Sequence, residues 1–324
     1  MTFARRLSRA AASAGRTALG TVLGLTLAGA IAFQPNATWA QTAAPAAAAR
    51  EVPRAEGAGP ALWVVRDADS TIYLFGTVHV LRPTTAWGTD AVDRAFDSAD
   101  EVWFEISNPD DAAAMMPLIQ QYGISPQRPL SSLLTAEEMA ELNAAATGIG
   151  MPAGQVDMLR PWFAALTLSV APLVKAGYDP QSGVELVLKG RAQAAGKPIK
   201  AFETIDSQIR ILAELPEQEQ LAFLRSTLED YENAHVMVDA MVSDWSRGDV
   251  EALDRLIVQE MKQDSQVVYD AMLTNRNTNW ANQIQQILAG SGTAFIAVGA
   301  AHLAGDDSVQ SILAQRGVTA ERVE

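Results

Sequence analysis

Apolar and polar positions fall into distinct blocks along the chain. Ala61-Leu62-Trp63-Val64-Val65-Arg66 and Thr71-Ile72-Tyr73-Leu74-Phe75 are short runs rich in β-branched and aromatic residues, separated by the turn-forming cluster Asp67-Ala68-Asp69-Ser70. The pair predicts a β-hairpin. A helix is expected from about Trp87 to Ser98, then a strand over Glu101-Val102-Trp103-Phe104-Glu105-Ile106. Thr135, with Glu138 three residues on, has the spacing of a capping box. The segment from about Val156 to Ala176 carries Pro161 and Pro172, so two helices or a kinked one are expected. Apolar residues at helical spacing fill Val184 to Ala195, and Ile199 to Phe202 reads as a short strand. From Asp206 to about Leu288 the pattern is helical, with Asp249 as one N-cap. Thr293-Ala294-Phe295-Ile296-Ala297-Val298 is almost entirely apolar, as a strand buried on both faces would be. A helix over Asp307 to Gln315, capped by Asp306-Asp307, and a last strand near Val318 close the chain. This order predicts an α/β fold. One central mixed β-sheet is formed by the N- and C-terminal segments, with a large helical insertion in the middle.

The first 40 residues stand apart. Arg5, Arg6, Arg9 and Arg16 precede the uncharged run Thr17 to Phe33, and Thr38-Trp39-Ala40 offers small residues at a cleavage site. Residues 1–40 therefore read as a secretory signal peptide and predict a periplasmic or secreted protein with no stable membrane insertion after cleavage. Residues 41–59, rich in Ala, Pro and Gly, read as a flexible leader, and 60–324 as one domain. Losing the four arginines takes the formal charge from −14 to −18, which argues against nucleic acid as a partner. The chain has no cysteine, which excludes a thiol nucleophile and a cysteine-type zinc site, and only three histidines: His79, His235 and His302.

Two of those histidines share a pattern. Tyr73-Leu74-Phe75-Gly76-Thr77-Val78-His79 matches Ile296-Ala297-Val298-Gly299-Ala300-Ala301-His302: an apolar strand, a glycine, two small or apolar residues, a histidine. A glycine at a strand end lets backbone turn tightly or a ligand approach. Ligands of open α/β sheets bind beyond the carboxyl ends of strands, so parallel neighbouring strands would bring both rings to one crevice. The plainer reading is two structural histidines closing strand ends. Glu105 and Glu203 end other predicted strands. Two histidines with one or two carboxylates suit Zn, Mn, Fe or Co, and such a metal makes hydroxide available near neutral pH. His235, in a polar stretch, reads as a surface residue, and Trp63, Trp103, Trp162 and Trp280 as core. There is no H-E-x-x-H helix, no G-x-S-x-G elbow and no P-loop.

These blocks, in order, resemble the TraB/GumN family. The resemblance rests on Leu62-Trp63-Val64-Val65, Gly76-Thr77-Val78-His79, Phe104-Glu105-Ile106, Pro161-Trp162, Gly196-Lys197-Pro198 with Phe202-Glu203-Thr204, Arg276-Asn277 with Trp280, and Gly299-Ala300-Ala301-His302-Leu303-Ala304-Gly305. It implies an α/β core related to TIKI-type metalloproteases, erythromycin esterases and ChaN-like haem-binding proteins. Carried over, it implies a divalent metal (Mn, Co or Zn) at His79, Glu105 and His302, with Arg276 stabilising an oxyanion or a substrate carboxylate. Gly76, Gly299, Glu203 and Asn277 are substrate-binding candidates, the substrate being a peptide or small molecule. The family often has Gly-Ile-Asp where this chain has Gly183-Val184-Glu185, so the acid is kept but longer. The resemblance therefore implies a metal-dependent hydrolase. Its alternatives are a non-catalytic haem- or iron-binding protein, served by methionines such as Met115, Met116, Met237 and Met241, and an interaction protein without chemistry.

Overall fold

The computed structural model describes residues 52–323; the predicted signal segment and residues 41–51 lie outside the described residues. Strands β1 (Leu62–Arg66) and β2 (Ser70–Thr77) form the expected antiparallel hairpin, with Leu62 opposite Phe75 and Arg66 opposite Thr71. The Asp67 carboxylate closes the turn, accepting from the backbone N–H of Ser70 at 2.8 Å. Strands β3 (Glu101–Phe104), β4 (Ile199–Ala201), β5 (Gly292–Gly299) and β6 (Ala320–Arg322) complete a six-stranded sheet of order β4-β3-β5-β2-β1-β6. β5 lies between β2 and β3 and is parallel to both, and β3 is parallel to β4. β1 runs antiparallel to β2 and β6, so the sheet is mixed. The ends of the chain therefore meet in one sheet, and four parallel strands share one carboxyl edge.

The alternation along β5 explains why it reads as nearly continuous apolar sequence. Phe295 and Ala297 face a large core with Phe75, Val102 and Phe104. Ala294, Ile296 and Val298 face a second, smaller core with Trp280, Ile284 and Leu313. A strand covered on both faces has no solvent side to keep polar.

Between β2 and β3 runs α1 (Asp90–Ser98), capped by Thr89. The insertion then supplies α2 (Ala112–Tyr122), α3 (Ala136–Gly148), α4 (Pro161–Lys175), α5 (Val184–Ala194), α6 (Ile205–Ala213), α7 (Glu217–Glu229) and α8 (Ala234–Ser246). The Thr135–Glu138 capping box forms at α3 as expected. Pro161 opens α4, where its missing N–H costs nothing. A short helical turn at Ala153–Val156 precedes α4, and Pro172 lies inside α4 near its C-terminal end, buried, where packing compensates for one lost backbone bond.

Residues 250–264 and 266–288 are helical, each with a π turn, at Asp254–Val258 and Asp270–Thr274. The last stretch of the second is α9 (Asn275–Leu288), and α10 (Val309–Gln315) follows β5. Ser308, not Asp306 or Asp307, caps α10; Asp307 is instead held by Tyr269 at 2.7 Å and Lys262 at 3.1 Å. The first described residues are already docked, with the Pro53 carbonyl accepting from the Trp87 and Gly88 N–H groups at 3.0 Å. Among the described residues no helix is long and apolar enough to cross a membrane.

Candidate functional site

The two G-x-x-H segments leave the sheet side by side. Gly76 pairs with Val298 and Thr77 with Gly299 in parallel register. A Cβ on Gly76 would stand 3.1 Å from the Ala300 Cα, so the bare glycine lets the turn after β5 cross closely. Gly299 lies between both rings. A Cβ there would meet Glu105 Oε1 at 3.1 Å, His79 Nε2 at 3.5 Å and a His302 ring carbon at 3.6 Å. The two histidines and Glu105 thus border one gap at the carboxyl edge of the parallel strands.

His302, in the 3-10 turn Ala300–Leu303, is buried and fixed from two sides. Its Nδ1 is 2.6 Å from Asn277 Oδ1. The Asn277 amide nitrogen donates to the Asp307 carbonyl at 2.8 Å, so its oxygen faces the ring and His302 Nδ1 carries the hydrogen. Nε2 is then an acceptor and receives Arg276 Nη1 at 3.1 Å. The Trp280 indole packs against the ring, centroids 4.3 Å apart. Burial, helped by the Arg276 charge, pushes the His302 ring down from 6.5 to about 3, so it is neutral at ordinary pH.

His79 sits closer to solvent, its side chain 14% exposed, and its Nδ1 is 2.7 Å from Glu185 Oε1. Burial lowers its basicity, but Glu185, with help from Glu105, more than offsets this, and the net direction is upward. The two rings therefore differ because one faces a carboxylate and the other a guanidinium.

Arg276, on α9, joins the rest. Nε and Nη2 donate to the two Glu203 oxygens at 2.8 and 2.9 Å, and Nη2 also donates to Glu105 Oε2 at 2.6 Å. Trp280 adds an indole N–H to Glu203 at 2.9 Å. Glu105 Oε1 accepts from the Gly299 N–H at 2.8 Å, and Oε2 also accepts from Gln208 at 2.9 Å. Burial would raise Glu105, but Arg276, the histidines and the Gly299 N–H hold it well below the usual carboxylate range. Burial likewise works against the guanidinium, and Glu105 and Glu203 hold it above its ordinary value.

A cavity of about 50 Å³ opens on this cluster. Thr77, His79, Glu105, Arg276, Gly299 and His302 form its polar side. Met241, Ile257, Met261, Met272 and Leu273 form the opposite wall, and the two π turns supply three of them. π turns often occur at functional sites.

His79, Glu105, His302, Arg276 and Gly299 are brought together here. Glu203 and Asn277 act behind the cavity wall, one on Arg276 and one on His302. Gly76 lies beneath, its carbonyl accepting from Trp245 at 2.8 Å. His235 does not line the cavity, and of the methionines singled out from sequence only Met241 does. Met115 is core, Met116 is exposed and Met237 is half-buried. Sequence reasoning missed Gln208, in mid-helix with no local signal, and Thr77, inside the motif itself. It noted Glu185 without giving it a role.

Among the described residues, no three His, Asp or Glu groups stand ready-gathered around a metal position. The donor chemistry nevertheless suits one. Both rings give Nδ1 to a fixed acceptor, as metal-ligating histidines do, and the missing Cβ of Gly299 leaves a cradle between His79 Nε2 and Glu105 Oε1. Arg276 Nη1 occupies the His302 lone pair, and an ion would compete with it there.

A model of the TraB/PrgY/gumN family matches residues 61–322. The protein YbaP of Escherichia coli (strain K12), described as uncharacterized, is 23% identical over 256 residues, which cover 78% of this chain and 92% of that protein. An uncharacterized protein of Treponema pallidum (strain Nichols) is 22% identical over 273 residues, covering 78% of this chain and 80% of the relative. No solved structure matches significantly. The ordered blocks around the two histidines and the match along almost the whole folded region have one meaning: the chain belongs to the TraB/PrgY/gumN family.

Proposed function

We propose that this cavity is the active site of a periplasmic, metal-dependent hydrolase of peptide or ester bonds. The observation that carries the reading is the charge of the cluster. Three buried carboxylates, Glu105, Glu185 and Glu203, face one guanidinium, Arg276, and two imidazoles. With neutral rings the cluster has a formal excess of two negative charges, and buried charge is costly unless paired. A divalent cation such as Mn, Co or Zn balances it, with His79 Nε2, Glu105 Oε1 and His302 Nε2 as ligands. Bound there, the ion would supply Lewis acidity and an activated water.

The protein's own groups set the rest. His79, the more exposed ring, meets an entering substrate first. Arg276 keeps Glu105 ionised, and its Nη1, which donates to His302 Nε2 and to the Met272 carbonyl, becomes a donor to negative charge on the substrate once an ion takes the His302 lone pair. The methionine-rich wall opposite takes an aliphatic group beside the scissile bond, because methionine adapts to varied apolar shapes. The charge-free run before Ala40 supports export.

Thermal melts of the chain from Gln41 onward, with and without Mn, Co or Zn, test this. An ion at one hundred times its dissociation constant stabilises the native state by ~2.7 kcal/mol, a shift of several degrees at roughly 2–4 °C per kcal/mol. The shift is expected to vanish in His79→Ala, and a peptide library should show metal-dependent cleavage by the wild type. A wild type indifferent to every ion would sink the proposal. A haem Soret band in its place would favour the ligand-binding reading, for which Met241, Met261 and Met272 offer thioethers.

A further inference from the structure

Helix α5 begins directly beneath His79, and two features of its start are unusual. Gly183 precedes it, and a Cβ there would collide with the His79 carbonyl oxygen. Val184 N–H then donates to the Val78 carbonyl at 3.0 Å. This close docking places Glu185, in the first turn of α5, under the imidazole. Glu185 Oε1 receives both His79 Nδ1, at 2.7 Å, and the Thr77 hydroxyl. Glu185 Oε2 is buried with no hydrogen-bond partner among the described residues. A buried carboxylate with one oxygen doubly engaged and the other idle is poorly explained as a stability device, because the idle oxygen costs desolvation and returns nothing.

We infer that Glu185 is the positioning residue for His79, with Thr77 holding the carboxylate in place. A carboxylate only accepts hydrogen bonds, so His79 Nδ1 must carry the hydrogen. In the neutral ring the lone pair is then confined to Nε2, the atom that borders the Gly299 cradle. Glu185 touches neither the cradle nor the substrate wall; its effect passes through the ring. The value of this arrangement for chemistry rests on the hydrolase reading, but the tautomer itself does not.

The test separates the two. Nitrogen-15 NMR of the imidazole rings in the apo protein, at a pH where His79 is neutral, reports which nitrogen is protonated. Wild type should show His79 protonated at Nδ1. Glu185→Ala should return the ring to the Nε2-protonated form, and Thr77→Val should shift it part of the way. Glu185→Asp should restore the Nδ1-protonated form at least partly, which a merely space-filling role would not predict. Should Glu185→Ala fail to fold, Glu185→Met keeps the length of the side chain without an oxygen acceptor. In either variant Mn affinity, measured by titration calorimetry, should fall about 10–100-fold, as loss of an outer-shell partner does. A wild-type ring protonated at Nε2, or a ring still protonated at Nδ1 when the Glu185 acceptor is removed, overturns the inference. A wild type that binds none of Mn, Co and Zn overturns the hydrolase reading and leaves the tautomer result to decide this one.

Discussion

At the scale of single residues, two histidines with the same motif have opposite acid–base behaviour. His302 is pushed from 6.5 to about 3 by burial and by Arg276. The unfolded chain therefore takes up a proton on His302 before the folded chain does. That difference destabilises the fold progressively as pH falls from 6.5 toward about 3. His79 is raised, so its contribution is fully present below 6.5 and is lost as pH rises through its folded value. Urea melts across the acid range should show wild-type stability dropping below pH 6.5 more steeply than that of His302→Gln, which lacks the titrating ring. Equal slopes would mean that His302 protonates freely in the folded protein and that Arg276 and burial do not govern it.

At the scale of elements, the chain announces some parts of the fold and hides others. β5 is legible because both of its faces are covered, leaving no polar position to blur the run. The hairpin is legible from its Asp-rich turn, and α3 from its capping box. Pro172 leaves the choice between two helices and a kinked one open, because propensity is local while the packing around α4 comes from elsewhere. That His79, Glu105 and His302 share one cavity is legible because each follows a strand end, where a polar residue after apolar sequence stands out. Glu185 is ambiguous because an acid in the first turn of a helix is common without any site nearby. Gln208 is invisible because only the sheet topology brings α6 against Glu105. The start of α5 shows how narrow such docking is. Gly183 has an ordinary backbone conformation, φ −57°, so alanine there meets no dihedral strain. Its methyl would instead drive into the His79 carbonyl. Gly183→Ala should therefore cost about 1–3 kcal/mol, as overpacking does, and should disturb His79 more than His302 in ring NMR spectra. A neutral substitution would show that α5 can move away from the β2 end without consequence.

At the scale of the whole molecule, the candidate site is also the place where distant segments are fastened together. Glu105 follows β3, Glu203 follows β4, Gly299 ends β5, His302 lies in the next turn, and Arg276 comes from α9 across the helical insertion. One guanidinium with its side chain 9% exposed links the first three of these groups directly or through Glu105, and touches the fourth. Removing its charge should thus be felt as loss of global stability and not only as loss of function. Arg276→Met keeps length and apolar contact with Trp280 but leaves Glu105 and Glu203 buried without their cation. Breaking one side of a buried pair typically costs ~3–5 kcal/mol. Adding Glu203→Gln to that variant removes one uncompensated carboxylate, so the double variant should recover part of the loss. Chemical denaturation of the two single variants and the double variant would measure this coupling. Additive costs would show that Arg276 and Glu203 are energetically independent despite their two-point contact. A recovery would show that the charge cluster proposed to receive a cation also fastens α9 to the end of β4.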